Sequence, residues 1–303
     1  TDRGNTWTSI KGNLPHRMLI WRIVQDHVKS DLMFAATEFG IYFTVNGGNW
    51  WTKFKGGVPV ISFRDLAIQR RENDLVGASF GRSFYVLDDY SALREVSDAQ
   101  LAEEATLFPT RKAWWYIPRS HLGFYGMRGD QGADHFVAPN PPFGAVFTYY
   151  LKEELKTKKA QRTEKEKALS EANKDIPFPG WEALEAERMQ DAPKIWLTVK
   201  DSYGNVVRRI EGPVAKGFHR VAWDLRYPAP VAIDLEPAPP PMFGGPSQGL
   251  MAAPGTYTVS LSRQVDGEII ELSKPQQFEV APLREGALKG ADPAAVAAFW
   301  RQY

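Results

Sequence analysis

The sequence contains no cysteine, so neither a disulfide framework nor a thiolate metal site is open to it. It has no apolar run near the roughly 20 residues a helix needs to cross a bilayer, and no membrane span is expected. It also lacks a charge excess: 37 lysines and arginines stand against 36 aspartates and glutamates. A polyanion such as nucleic acid is therefore not an expected partner. Histidine is sparse, and His16, His27, His121, His135 and His219 form no pair at i, i+3 or i, i+4, so metal ligation has no support. Asp130, Asp134 and His135 sit in a glycine-rich loop, whose default is solvation. The run Gly244-Gly245-Pro246-Ser247-Gln248-Gly249 lacks the following lysine and the strand-to-helix context of a phosphate loop, and nothing resembles a nucleophile elbow. No cofactor and no metal are expected.

What is present is a large apolar complement, 43% of 303 residues with 13% aromatic, enough for a substantial core and for two domains. An internal repeat organises the first third. Asp2-Arg3-Gly4-Asn5-Thr6-Trp7 matches Asn46-Gly47-Gly48-Asn49-Trp50-Trp51, with Gly4 on Gly48 and Trp7 on Trp51. Asp31-Leu32-Met33-Phe34 matches Asp74-Leu75-Val76-Gly77 in nearly the same register. The period is that of a four-stranded propeller blade. Short β-rich runs over 19–25, 32–37, 41–44, 51–54, 65–69, 75–79 and 83–87 predict the strands.

Thr44, Asn46, Gly48 and Trp51 fit the pattern Ser/Thr-x-Asp-x-Gly-x-x-Trp, with asparagine in place of aspartate, and Asp2, Gly4 and Trp7 fit its later positions. The pattern resembles the Asp-box (BNR) repeat of sialidases, xyloglucanase-type glycosidases and sortilin-like receptors. The resemblance implies a structural role for these residues on the propeller rim, with Trp7 and Trp51 packed in equivalent places. The stretch Arg64-Asp65-Leu66-Ala67-Ile68-Gln69, with Phe80-Gly81-Arg82-Ser83-Phe84-Tyr85, looks like the closing blade of large bacterial exported proteins of the sortilin-like or glycosyl-hydrolase-like BNR kind. Relatives commonly carry histidine at the position of Phe80. The run Ala138-Pro139-Asn140-Pro141-Pro142-Phe143-Gly144-Ala145 is similar to the propeller-to-sandwich junction of that family. Further on, Asp201-Ser202-Tyr203-Gly204-Asn205, His219-Arg220-Val221-Ala222-Trp223-Asp224 and Pro254-Gly255-Thr256-Tyr257 resemble the Ig-like module of the flagellar hook-cap protein.

The expected fold is mainly β: a partial β-propeller of about two blades, then an Ig-like β-sandwich carrying an inserted charged helical segment. The boundaries read as blades over 1–96, a linker over 97–112 with a short helix, and a sandwich over 113–283 with strands over 113–119, 146–151, 194–200, 206–210, 218–224 and 254–261 and a hairpin at Asp266-Gly267. The helical insertion falls at about 152–190, its second helix having Trp181, Leu184 and Met189 inward, and a helical extension covers 284–303. Trp223, on an alternating strand between Val221 and Leu225, is expected in the core. Closed propellers need at least four blades, so the remaining blades, from the same precursor or a second chain, are expected partners. The resemblance implies a bacterial secreted, periplasmic or cell-surface location.

For function, three readings stand. The first is a non-catalytic binding or interaction protein, with the propeller surface taking a glycan or peptide ligand and the sandwich serving as spacer or docking module. By blade order the strand starting at Arg64-Asp65 is innermost, and Arg64, Asp65 and Arg82 can reach the channel mouth; the competing role for them is an Arg–Asp pair between blades. The second is a glycoside hydrolase, which needs two carboxylates across the scissile bond, drawn from residues such as Glu38, Asp65, Asp88 and Asp89 and from blades not present. The third is a structural subunit.

Overall fold

The structure is a computed structural model that describes residues 3–118, 138–230, 248–284 and 290–302. Asp2, His121, Asp130, Asp134, His135 and Gly244 to Ser247 lie outside the described residues. Strand outweighs helix, 36% to 15%, which makes the chain mainly β. It divides into two compact units, Thr1–Gln100 and Leu101–Tyr303.

The first unit consists of two antiparallel meanders. Strands β1 (Ile20–Gln25), β2 (Met33–Thr37), β3 (Gly40–Thr44) and β4 (Thr52–Lys53) form a four-stranded sheet in sequence order, and β5 (Phe63–Gln69), β6 (Asp74–Ser79) and β7 (Phe84–Leu87) form a three-stranded one. Alternation drives the packing, because side chains along a strand point to opposite faces. Leu32, Phe34, Ala36 and Ile41 of the first sheet share a core with Phe63, Leu66 and Leu75 of the second. Gly77 permits this approach: a Cβ there would lie 3.0 Å from Ile41 Cδ1 and 3.1 Å from the Phe63 ring. The other face of the first sheet, with Met33 and Ala35, is covered by Leu14, Met18 and Trp51. The other face of the second sheet leaves Phe84 and Val86 exposed, and among the described residues β7 has no strand on its outer edge.

A buried carboxylate ties the β1–β2 connection to the end of this unit. Asp26 receives two hydrogen bonds from Arg94, at 2.9 and 2.8 Å, one from the Tyr90 hydroxyl at 2.6 Å, and the backbone N–H groups of Val28 and Lys29. Arg94 also donates to Asn73 Oδ1, and the Lys29 ammonium donates to the Arg94 carbonyl. Burial opposes ionisation of Asp26, but Arg94, Tyr90 and the two N–H groups outweigh it and hold the carboxyl well below the usual carboxylate range. Burial, with the neighbouring Asp26 charge, pushes the Tyr90 phenol far up.

A short helix α1 (Asp98–Ala102) spans the division between the units and leads into β8 (Ala105–Leu107), β9 (Ala113–Trp115) and β10 (Ala145–Leu151) of the second. Two helices follow, α2 (Lys158–Glu171) and α3 (Trp181–Met189), and then β11 (Lys194–Lys200), β12 (Val206–Gly212), β13 (Gly217–Trp223), β14 (Gly255–Val265), β15 (Glu268–Glu271), β16 (Gln276–Pro282) and α4 (Pro293–Trp300). One sheet has the order β13-β10-β8, the other β12-β11-β14-β16-β9, with β15 paired to β14. Inward residues of both sheets build one core: Phe147, Tyr149 and Leu151 meet Ile195, Leu197, Val259, Leu261 and Phe278. Trp223, predicted inward from alternation, is 1% exposed.

Three details differ from the sequence-based expectation. Within the stretch read as a linker, Ala105–Leu107 pairs with β10 and buries Ala105 and Leu107 in this core; three residues are too few for alternation to show. The strand predicted from Ala113 stops at Trp115, where its parallel pairing with β16 ends. On α3, Trp181 and Met189 are 79% and 70% exposed rather than inward. α3 meets α2, which buries no residue, through the Arg162–Glu187 ion pair, and the Trp181 ring packs edge-on to the exposed Phe178 rather than into a core. Opposite charges hold these helices, with Arg162 also reaching Glu166 and Lys158 reaching Asp266. The exposed pairs among them add little stability, because water screens them and two long side chains must be ordered to make each one.

Candidate binding surface on the first strands of the two sheets

Both first strands carry a one-residue bulge near their start. Ile20 pairs with Thr37 and Arg22 with Ala36, so Trp21 is the extra residue of β1. Phe63 pairs with Ser79 and Asp65 with Ala78, so Arg64 is the extra residue of β5. A bulge bends its strand and re-aims the side chain it carries. The two re-aimed residues meet: Arg64 Cζ stands 3.7 Å from the centroid of the Trp21 ring and 5.0 Å from that of Phe80. Such a cation–π contact at an exposed site is worth about 0.5–1 kcal/mol. The Phe80 N–H donates to the Ser62 carbonyl at 2.8 Å, which ties the hairpin backbone to the residue before β5.

Asp65 lies 3.5 Å from Arg22 Nε and also accepts the Leu66 N–H at 2.9 Å. An Arg–Asp pair therefore does link the two sheets, with Arg22 as the arginine. Both side chains are more than half exposed, so the pair adds little stability. Arg82 sits in the β6–β7 hairpin tip, closed by the Ser79 N–H and hydroxyl donating to the Ser83 carbonyl at 3.0 and 2.7 Å. Among the described residues neither Arg64 nor Arg82 has a hydrogen-bond or ion-pair partner. The structure thus joins Arg64 to Trp21 and Phe80 and Asp65 to Arg22, while Arg82 shares a hairpin tip with Phe80. Trp21 and Arg22 were missed in the sequence because β1 gives no local sign of its bulge.

Three of the acids considered for hydrolysis have partners of their own: Glu38 Oε1 accepts the Leu19 N–H, Asp89 Oδ1 accepts the N–H and hydroxyl of Ser91, and Asp65 pairs with Arg22. Among the described residues, no group of three or more metal-ligating side chains comes together.

The turn from Thr44 to Trp51 works through an amide oxygen. Asn46 Oδ1 accepts the Thr44 hydroxyl and the Trp50 N–H, both at 2.9 Å, and Thr44 Oγ1 accepts the Gly48 N–H at 3.0 Å. One oxygen does this work, so a negative charge is not required. Gly48, at φ 90°, has no space for a Cβ, which would lie 2.7 Å from the Ile10 carbonyl and Cβ. Asn46→Asp is expected to leave the urea midpoint within error, and Asn46→Ala to cost about 1 kcal/mol through the lost acceptor.

The first copy repeats the turn but not the packing. Arg3 and Gly4 have φ 59° and 86°, against 70° and 90° for Gly47 and Gly48. Yet Trp7 is 90% exposed and Trp51 2%, so the two indoles do not occupy equivalent places. Trp51 is held from an earlier segment: its N–H donates to Asn13 Oδ1, its carbonyl accepts from Asn13 Nδ2, and its indole N–H donates to the Ile10 carbonyl. The Trp7 indole N–H instead donates to the nearby Gly4 carbonyl. Asn13 and Ile10 carry no sequence signal for this task, since both lie far from Trp51 along the chain.

No protein-family model matches the chain, and no curated protein matches it. Among solved structures, the extracellular domain of the putative one component system BT4673 from B. thetaiotaomicron is similar at 10% identity with a TM-score of 0.20, over 88% of this chain and 25% of that one. The chain thus spans about a quarter of that protein's length, and a likeness at this level carries no argument.

Proposed function

We propose that the chain is a non-catalytic binding protein of the Asp-box propeller type. In this reading 1–96 are blades, 113–283 an Ig-like sandwich that serves as spacer or docking module, and the location secreted, periplasmic or cell-surface. The ligand, a glycan or peptide, is taken by the surface around Arg64, Asp65 and Arg82, extended to Trp21, Arg22 and Phe80. The observation that carries this is the Arg64 guanidinium, stacked on Trp21 beside Phe80, exposed and without a hydrogen-bond partner among the described residues. Stability alone does not call for a tryptophan and an arginine at two strand bulges beside an exposed phenylalanine. The apolar face with Phe84 and Val86 and the free edge of β7 support further blades as partners, because such an edge invites pairing.

The test is a glycan and peptide array probed with the protein, followed by Arg64→Ala and Arg82→Ala. Each variant is expected to weaken binding at least about tenfold, the loss of a charge-assisted contact, with the melting temperature within a few degrees of the parent. Unfolding of both variants would make the residues structural. Absence of any array ligand would sink the binding reading, and release of sugar would replace it with the glycoside hydrolase alternative.

A further inference from the structure

We propose that Arg64 is a carboxylate receptor and that the ligand of this surface is an acidic glycan bearing uronate groups; this rests on the binding reading above. A guanidinium presents its N–H donors around the edge of a plane, in a fork that matches a carboxylate with two parallel bonds. The Trp21 ring, its centroid 3.7 Å from Cζ, covers the guanidinium on one side, and among the described residues no hydrogen-bond or ion-pair partner takes its N–H donors. The ring also holds a side chain that would otherwise lose roughly 2 kcal/mol of rotamer freedom on binding. The neighbouring carboxylate does not neutralise it, since Asp65 is engaged by Arg22 and the Leu66 N–H. One unpaired fork suits a singly charged group.

Two observations favour a glycan over an extended peptide. First, β1 and β5 are edge strands of their sheets, where a peptide would add as a further strand. The bulges at Trp21 and Arg64 break the ladder at that position, leaving side chains rather than backbone to do the recognition. Second, Phe80 is 68% and Trp21 40% exposed, offering apolar ring surface beside the cation for the C–H face of a sugar.

The experiment is calorimetric titration of the protein with oligogalacturonate, its neutral methyl ester and an acidic peptide of equal charge, repeated with Arg64→Lys and Arg64→Ala. The parent is expected to prefer oligogalacturonate to the ester by at least about tenfold, with the preference shrinking as salt is added. Arg64→Lys, which keeps the charge and loses the planar fork, should remove most of the preference while ester affinity changes less than about threefold. Equal binding of ester and acid, or an undiminished preference in Arg64→Lys, would overturn the carboxylate assignment while leaving glycan binding intact. Tighter binding of the peptide would overturn the glycan, and no binding of any probe would overturn this inference, the reading beneath it standing or falling on the array.

Discussion

Replacing Trp223 by alanine will destabilise the second unit by about 3–5 kcal/mol, the cost of deleting a buried aromatic ring and leaving its cavity. Trp223 is at the centre of an aromatic cluster, edge-on to Tyr257 at 5.2 Å and to Phe278 at 6.2 Å. Its indole N–H donates to the Arg226 carbonyl at 2.9 Å, so the substitution also leaves a carbonyl without its donor. Against a typical domain stability of about 5–15 kcal/mol, such a loss removes much of the margin. Hydrogen exchange resolved by peptide reads each unit by itself: protection should fall across β10 to β14 in the variant. Unchanged protection there would show that the cluster does not hold the two sheets. Trp223→Phe, which keeps most of the ring, should cost clearly less than the alanine variant.

The second large effect concerns Asp26. Asp26→Asn will cost about 3–5 kcal/mol in the first unit, because removing one partner of a buried ion pair leaves the other uncompensated. Here the orphan is Arg94, whose side chain is 14% exposed. The pH dependence follows from the depressed carboxyl. A group whose folded pKa lies below its unfolded value, about 3.9 for aspartate, contributes fully above that value and loses its contribution as pH falls toward the folded pKa. The parent's first unit should therefore lose stability below about pH 4, and part of that acid sensitivity should vanish in Asp26→Asn. Equal slopes of stability against pH in parent and variant, measured by exchange in β1 to β6, would show that Asp26 is not the group responsible.

Most strands were legible as local patterns. β11 falls on the alternating run Lys194 to Lys200 with the predicted limits, and β13 on the run ending at Trp223. The hairpin at Asp266-Gly267 joins β14 to β15 as its residues ask, with φ 51° and 82° there. The candidate site was legible only by halves: Arg64, Asp65 and Arg82 stand out as charges at strand starts and turns, whereas the aromatic partner of Arg64 and the arginine that pairs Asp65 do not.

What the sequence alone determined is whatever depends on near neighbours: the mainly β class, the places of the strands, the turns at Gly47-Gly48 and the inward face that carries Trp223. The reason is that strand periodicity and turn conformation are set within a few residues. The tertiary structure alone decided the meeting of Trp21 with Arg64, the clamp of Asn13 on Trp51, the closure of Arg94 on Asp26 and the parallel pairing of β9 with β16. Each joins groups tens of residues apart or more, whose proximity depends on how sheets stack and where a strand bulges. It also decided that the Trp7 indole stays in solvent while that of Trp51 is buried, since two similar turns pack alike only when the same surface lies beneath them.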